Sequence, residues 1–260
     1  MKVLVVGAGN VGLRLGGLLH RSGDFDVTMA DCVEEALSRA EAIGLESVAI
    51  DAARSEQLTR IAAAHDVVVA AVPDWIVHKV AGAAVDAGVH YLDFSSRSEK
   101  LEALRGRLAA GKVFMPACGV SPGLVDLFAA DLVSTFDKDI DMVVRVGAIP
   151  QERTNRLGYG LIWNLDGLFA EYTRPCLAVR DGKSVSVSPL SDKEDLVLDG
   201  VAYEAFSTAE GFAGLHDFAR RFQGRVRNFT FRTIRYPGHL DYMKLLLDDL
   251  RLRERKDLWI

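Results

Sequence analysis

Cysteine is scarce in this 260-residue chain: Cys32, Cys118 and Cys176 are the three present, scattered, odd in number and without a Cys-x-x-Cys pair. That pattern suggests neither a disulfide framework nor a zinc site, no other metal is expected, and the three read as free thiols. Positive charge is in deficit too. Lys and Arg number 31 against 36 Asp and Glu, the net charge is −5, and no basic stripe or polybasic segment occurs. Nucleic acid and anionic membrane surfaces are therefore not expected partners. No apolar run approaches the ~20 residues that span a bilayer. The chain enters a strand at once, without a charged leader and cleavage site, so a cytoplasmic location is expected. Internal repeats beyond βα alternation and low-complexity segments are also missing. What remains, 49% hydrophobic and 26% charged residues, is globular composition with length for two modest domains or one large one.

Glycine, by contrast, is plentiful and placed. The apolar run Val3-Leu4-Val5-Val6 ends directly on Gly7-Ala8-Gly9-Asn10-Val11-Gly12, and an amphipathic stretch runs from Val11 to Leu19. Strand, turn and helix in that order cradle phosphate: Gly7 permits the tight turn, Gly9 lets backbone N–H groups approach a pyrophosphate, and Gly12 lets the helix close on the strand. The helix N-terminus, opened by Asn10 and Val11, then faces an anion that its dipole favours. A second strand, Asp26–Ala30, ends on Asp31, about 20 residues on, where a carboxylate accepts hydrogen bonds from the adenosine ribose hydroxyls. This points to NAD rather than NADP, because a 2′-phosphate would meet the charge of Asp31 and the next residue is Cys32, not Arg; Arg39 keeps NADP open. The alternative role for Asp31 is capping the helix that starts near Val33.

Strands alternate with helix-length segments up to about Pro116. Ser47–Ile50, Val67–Val72, Val89–Phe94 and Lys112–Met115 read as strands, with helices over Glu56–Ala64, Ile76–Ala87 and Glu99–Leu108. Such alternation builds a parallel sheet, and the unbroken apolar run Val67–Val72 suits a central strand covered on both faces. Ligands sit outside the carboxyl ends of such strands. That places Val72, Pro73, Asp74, Ser95, Ser96 and Pro116-Ala117-Cys118-Gly119 at the nicotinamide end.

Past Cys118 the rhythm changes. A helix over about 122–136 is followed by an alternating strand, Ile140–Val146, of mixed or antiparallel style. The runs Leu177–Arg180 and Ser184–Val187 flank Asp181-Gly182-Lys183, a hairpin signal. Strands Ala202–Thr208 and Val226–Ile234 enclose a helical segment near Leu215–Phe222, and a final helix runs over about 240–252. The fold class is α/β: a doubly wound parallel (Rossmann) sheet over 1–118, then a second α+β mixed-sheet domain over 119–238 and a C-terminal helix over 239–260. One long connection, Gly147 to Leu161, has little periodicity, and loops of that length are usually functional or mobile.

Several collinear segments resemble one family. Gly119-Val120-Ser121-Pro122-Gly123-Leu124, the run from Trp163 to Tyr172, Glu204-Ala205-Phe206-Ser207-Thr208 and Thr233-Ile234-Arg235-Tyr236-Pro237-Gly238-His239 together resemble the saccharopine dehydrogenase-like family, most of all its L-lysine 6-dehydrogenase branch. The resemblance implies an oxidoreductase moving a hydride from an amine-bearing carbon of an amino acid, lysine or saccharopine-like, to NAD. It also implies a homodimer whose second domain carries the substrate and the subunit contact. A saccharopine or carboxyspermidine-type reductase of secondary amines stays open beside this, as does an NAD-binding sensor or remnant without turnover. Two departures bear on the substrate. Ala209-Glu210-Gly211 stands where the lysine branch has Ser-Gly-Gly, so Glu210 either faces the pocket, attracting a cationic amine and repelling a dicarboxylate such as saccharopine, or faces solvent. The chain also ends on Lys256-Asp257-Leu258-Trp259-Ile260, where relatives run on and return to the dinucleotide domain.

Oxidation of an amine needs that amine neutral at transfer, a dry face for the hydride and charged groups fixing the amino-acid head. Asp93, at the end of its strand, is the first candidate for general base or ammonium anchor; capping or binding backbone amides is the alternative. His239 is the second, since imidazole takes a proton near neutral pH; a hydrogen-bonded packing ring is the alternative. Arg235 either clamps a substrate carboxylate or forms an ion pair. Trp163 and Asn164 either wall and orient the substrate or pack and cap a helix. Asp51 either contacts the adenine side or caps the next helix, and Cys118, with no His paired to it, reads as a packing residue.

Overall fold

The computed structural model describes residues 1–95, 98–160, 165–209, 211, 218 and 221–255. The chain divides into two units, Met1–Pro122 and Gly123–Ile260. In the first, β1 (Lys2–Val6), α1 (Asn10–Ser22), β2 (Asp26–Asp31), α2 (Glu34–Glu41), β3 (Glu46–Ala49) and α3 (Ser55–Ala62) precede β4 (Val67–Ala70), α4 (Asp74–Ala87), β5 (His90–Asp93), α5 (Glu99–Arg105) and β6 (Phe114–Met115). The strands pair in parallel in the order β3-β2-β1-β4-β5-β6, so the chain reverses direction across the sheet between β1 and β4. Alternation of strand with helix requires this, because a parallel connection must cross over.

The apolar runs of β1 and β4 serve two cores. Leu4, Val6, Val68 and Ala70 pack with Leu58, Val77 and Val80 on one face, while Val3, Val5, Val67 and Val69 pack with Ala36 and Ala40 on the other. Side chains alternate across a strand, so a strand covered on both faces has no polar side to show. Burying each such side chain contributes about 1.5–3 kcal/mol. The ladder of β4 stops at Ala70 and that of β6 covers two residues, so both strands are shorter than expected. Val72 lies beyond the ladder, and Pro73 caps α4.

The second unit contains α6 (Leu124–Ser134), β7 (Ile140–Val146), α7 (Leu165–Thr173), β8 (Cys176–Arg180), β9 (Lys183–Val187), β10 (Glu194–Leu198), β11 (Val201–Ser207), β12 (Val226–Arg235) and α8 (His239–Lys244). Its sheet runs β10-β11-β12-β8-β9 with antiparallel neighbours, and β7 lies parallel to β12, which makes it mixed, as expected. Asp181 and Gly182 turn the β8–β9 hairpin with φ of 47° and 74°, the positive pair that a two-residue hairpin needs. Asp199 and Gly200 do the same between β10 and β11, at 49° and 80°. Strand β10 was not expected: it is an edge strand whose charged and apolar residues follow no clean alternation.

The terminal helix is shorter than expected and continues into a π-helical turn, Leu245–Asp249. Leu240, Met243 and Leu247 pack with Tyr159, Tyr172 and Phe206, so its apolar side belongs to the second unit's core. No helix among the described residues is long and apolar enough to cross a membrane. Phe229, wholly buried, meets Met142 and Val179 across the sheet and the Phe218 ring at 5.3 Å. Phe229→Ala should cost about 3–5 kcal/mol in denaturant unfolding, whereas Val197→Ala, on the exposed face of β10, should stay within about 0.5 kcal/mol.

Candidate functional site

Among the described residues two places gather chemistry-bearing side chains. The first is the carboxyl edge of the parallel sheet. After Val6 the chain turns at Gly7 with φ of +102°, and a Cβ there would lie 2.3 Å from the Ala71 carbonyl oxygen. A Cβ on Gly12 would lie 1.8 Å from the Gly7 carbonyl oxygen. The fold itself demands both glycines. At Gly9 a Cβ would meet nothing within 4 Å; any demand for glycine there comes from something the turn holds. Gly9 caps α1 without a side-chain bond, and the first turn of the helix has no acidic residue. The positive end of its dipole is therefore left for an external anion.

Asp31 braces this turn. Its Oδ2 accepts from the Ala8 N–H at 2.6 Å and its Oδ1 from Val33 N–H at 2.9 Å, with the carboxylate half-buried. Val72 completes the surround: its Cγ1 lies 3.1 Å from where a Gly7 Cβ would stand. The structure thus brings Gly7, Asp31 and Val72 together, with Asn10 and Val11 exposed at the helix start and Pro73 exposed beyond Val72. Asp51 is exposed, and it accepts from the Ala53 N–H at 2.9 Å in its own loop; the N-cap of α3 is Arg54, so this bond does not cap the helix.

Asp93 is not placed to act as a general base. It is wholly buried, and its carboxylate accepts from Tyr91 Oη, the Ser95 N–H and hydroxyl, and the Ala117 N–H at 2.7–3.1 Å. Donors of its own chain replace the water that a buried carboxylate loses, so the amide-binding alternative holds. Burial and the charge of Asp93 push the Cys118 thiol's pKa up, which favours the inert thiol over a nucleophilic thiolate.

The second place is a buried polar network in the second unit. Arg235, 3% exposed, donates from Nε to the Tyr172 oxygen at 2.8 Å and from Nη1 to the Ile234 carbonyl at 3.0 Å, and pairs with Glu171 at 3.3 Å. Its guanidinium lies 4.7 Å from the centre of the Tyr159 ring. A substrate clamp would need that guanidinium free; the ion-pair alternative holds. His239 is wholly buried, with Nδ1 2.9 Å from the Leu157 carbonyl and Nε2 3.0 Å from the Tyr172 hydroxyl. A carbonyl only accepts, so Nδ1 carries the proton and Tyr172 donates to Nε2. Burial pushes the His239 pKa down to about 4, with the Arg235 charge acting in the same direction and the Leu157 carbonyl against it. Hidden and neutral at ordinary pH, the ring packs and does not shuttle protons.

Sequence reading missed Glu204, which is wholly inside, accepts from the Leu240 N–H at 2.7 Å and has Lys193 Nζ at 3.5 Å on its other oxygen. It also missed Tyr236, whose hydroxyl donates to the Pro150 and Gln151 carbonyls at 3.0 Å and pins the long connection before Gly160. Trp163, Asn164 and Glu210 lie outside the described residues.

A model of the saccharopine dehydrogenase NADP-binding domain matches residues 3–115, and one of the saccharopine dehydrogenase C-terminal domain matches residues 119–258. The chain belongs to the saccharopine dehydrogenase family. It is 24% identical over 267 aligned residues to saccharopine dehydrogenase [NADP(+), L-glutamate-forming] of Saccharomyces cerevisiae, covering 95% of this chain and 57% of that protein. The apo, histidine-tagged L-Glu-forming saccharopine dehydrogenase of the same yeast superposes with a TM-score of 0.80 at 23% identity, over 95% of this chain and 57% of that one. The likeness in structure is one of fold, and the chain spans 57% of the relative's length. These family matches carry the saccharopine name, and none carries that of the lysine branch expected from the sequence. The domain model and the yeast protein both carry NADP in their names, against the NAD expectation.

The depressed His239 pKa has a stability consequence. Its folded value lies below the unfolded one, so the contribution is complete above about 6.5 and is lost as pH falls toward about 4, a loss of about 3 kcal/mol. Denaturant midpoints measured down this window should fall more steeply for the wild type than for His239→Gln; parallel profiles would contradict a neutral buried imidazole.

Proposed function

We propose that the chain is a nicotinamide-dinucleotide oxidoreductase acting at a carbon–nitrogen bond of an amino acid. The observation that carries this is the strand, glycine turn and helix at the point where the sheet order reverses, in a family whose two domain models match both parts of the chain. The residues fit the group. Backbone N–H groups from Gly9 to Gly12 hold the diphosphate, Asp31 faces the adenosine ribose, and Val72 and Pro73 lie at the end of β4 on the way to the nicotinamide. The bound dinucleotide supplies the hydride acceptor or donor; the chain supplies position and a fixed, partly dry rim.

Kinship favours NADP, and Asp31 with Cys32 beside it sets the limit on that preference. A 2′-phosphate gains from an Arg and loses to a carboxylate. Asp31→Asn should shift the ratio of NADPH to NADH affinity toward NADPH by about tenfold in a fluorescence titration, since one opposing charge is worth about 1 kcal/mol or more near a surface. An unchanged ratio would remove Asp31 from the ribose.

The glycine turn gives a second test. Gly9→Ala should lose no more than the roughly 1 kcal/mol by which Ala trails Gly at an N-cap, and yet bind dinucleotide at least about tenfold more weakly, because its Cβ enters only the space for the diphosphate. Gly12→Ala should lose both stability and binding.

For substrate, the names of the matched relatives support a secondary amine of the saccharopine type over free lysine. The assay is dinucleotide reduction followed spectrophotometrically with saccharopine, lysine and diamines. Reduction with saccharopine is expected. Dinucleotide binding without reduction by any amine would overturn the enzyme reading in favour of a binding protein without turnover.

A further inference from the structure

We infer that Asp93 is a positioning residue for the nicotinamide half of the dinucleotide site. This rests on the oxidoreductase reading above. With the sheet ordered β3-β2-β1-β4-β5-β6, the turn after β1 and Asp31 after β2 take the adenosine half. The nicotinamide half therefore falls to the loops that follow β4, β5 and β6.

Asp93 fastens two of those loops to each other. Its Oδ1 accepts from the Ser95 N–H at 2.9 Å, the Ser95 hydroxyl at 2.9 Å and the Ala117 N–H at 3.1 Å. Its Oδ2 accepts from Tyr91 Oη at 2.7 Å, and its own carbonyl accepts from the Cys118 N–H at 2.7 Å. The ladder between β5 and β6 ends at Leu92 and Met115, so beyond it these bonds hold residues 94–95 against residues 116–118. They also hold Ala117 at φ of +62°, left-handed backbone that a residue with a side chain keeps only when its surroundings impose it. Beneath the carboxylate the wholly buried Tyr91 stacks on Phe114 of β6 at 4.9 Å, which fixes the hydroxyl that Asp93 receives. Asp93 touches no ligand in this arrangement. It acts through the backbone of the loops it joins.

The Cys118 thiol reports on the same lock. Its N–H is bound by Asp93, and its Sγ–H donates to the Met115 carbonyl at 3.1 Å. Loosening the loop frees the thiol.

The test compares each dinucleotide with the same molecule lacking the nicotinamide ring: NADPH with 2′-phospho-ADP-ribose, and NADH with ADP-ribose. In the full chain Asp93→Ala should weaken the dinucleotides at least about tenfold and the ring-less ligands no more than about twofold. Asp93→Asn, which keeps an oxygen for Ser95 and Ala117, should recover most of the loss. Tyr91→Phe takes the donor from Oδ2, leaves the Oδ1 bonds that join the two loops, and should show the same selective weakening, about threefold. In a Cys32→Ser background, alkylation of Cys118 mapped by mass spectrometry should quicken in Asp93→Ala and only modestly in Asp93→Asn.

Equal weakening of both ligand types, or none in either Asp93→Ala or Tyr91→Phe, overturns the inference. If the wild type binds no dinucleotide, the functional reading falls with it, and that failure is visible in the wild type before any variant is compared. A quickened Cys118 then still locates the lock, without a nicotinamide for it to serve.

Discussion

Parallel strands end with backbone N–H groups in the connecting loops that the ladder does not pair, and two aspartates take them up. Asp31 ends β2 and accepts from Ala8 in the turn after β1; Asp93 ends β5 and accepts from Ala117 in the turn after β6. In each pair the carboxylate belongs to one strand and the donor to its neighbour's loop. A side chain thus ties together two connections that the sheet leaves separate. An unmet buried N–H costs about 1–3 kcal/mol, so each of these two bonds holds its loop to the neighbouring strand. The same device braces β1 to β2 on one side of the sheet and β5 to β6 on the other, and the glycine turn after β1 is held by it.

The second unit puts its charges to a different use. Arg235 gives its donors to Tyr172, Ile234 and Glu171. Glu171 also accepts from Thr233, and Thr208 lies 2.6 Å from Thr233. A guanidinium withdrawn from water is tolerated only with such a full set of partners. The network joins β12, α7, α8 and the long connection before Gly160 through groups that must all be in place at once. That makes it a device for fixing one arrangement of the second unit.

Much of this was legible in the residues. Val3–Val6 and the turn at Gly7 and Gly12 declare their places in the fold by spacing alone, and the Asp181-Gly182 hairpin follows from the positive φ that both positions need. Asp199-Gly200 carried the same signal and would have disclosed β10. Arg235, for which clamp and ion pair both stood open, continues the alternation Phe229, Phe231, Thr233 along β12, which assigns it to the buried face. The identity of the residue suggested a clamp while its parity said otherwise. Asp93 shares parity with Tyr91 in the same way. What no spacing reveals is how many donors surround a carboxylate, because those come from loops distant in sequence, Ala117 among them. The same limit hid Glu204, whose partner lies on another element.

Gly9 differs from its neighbours in who requires it. Gly7 and Gly12 are imposed by contacts internal to the fold, and any chain keeping this architecture must retain them. A Cβ at position 9 would disturb nothing inside the protein. A lineage that had given up its nucleotide could drift at that one position without penalty while the flanking glycines stayed, so a side chain appearing there in a sister sequence would mark a scaffold that has outlived its ligand.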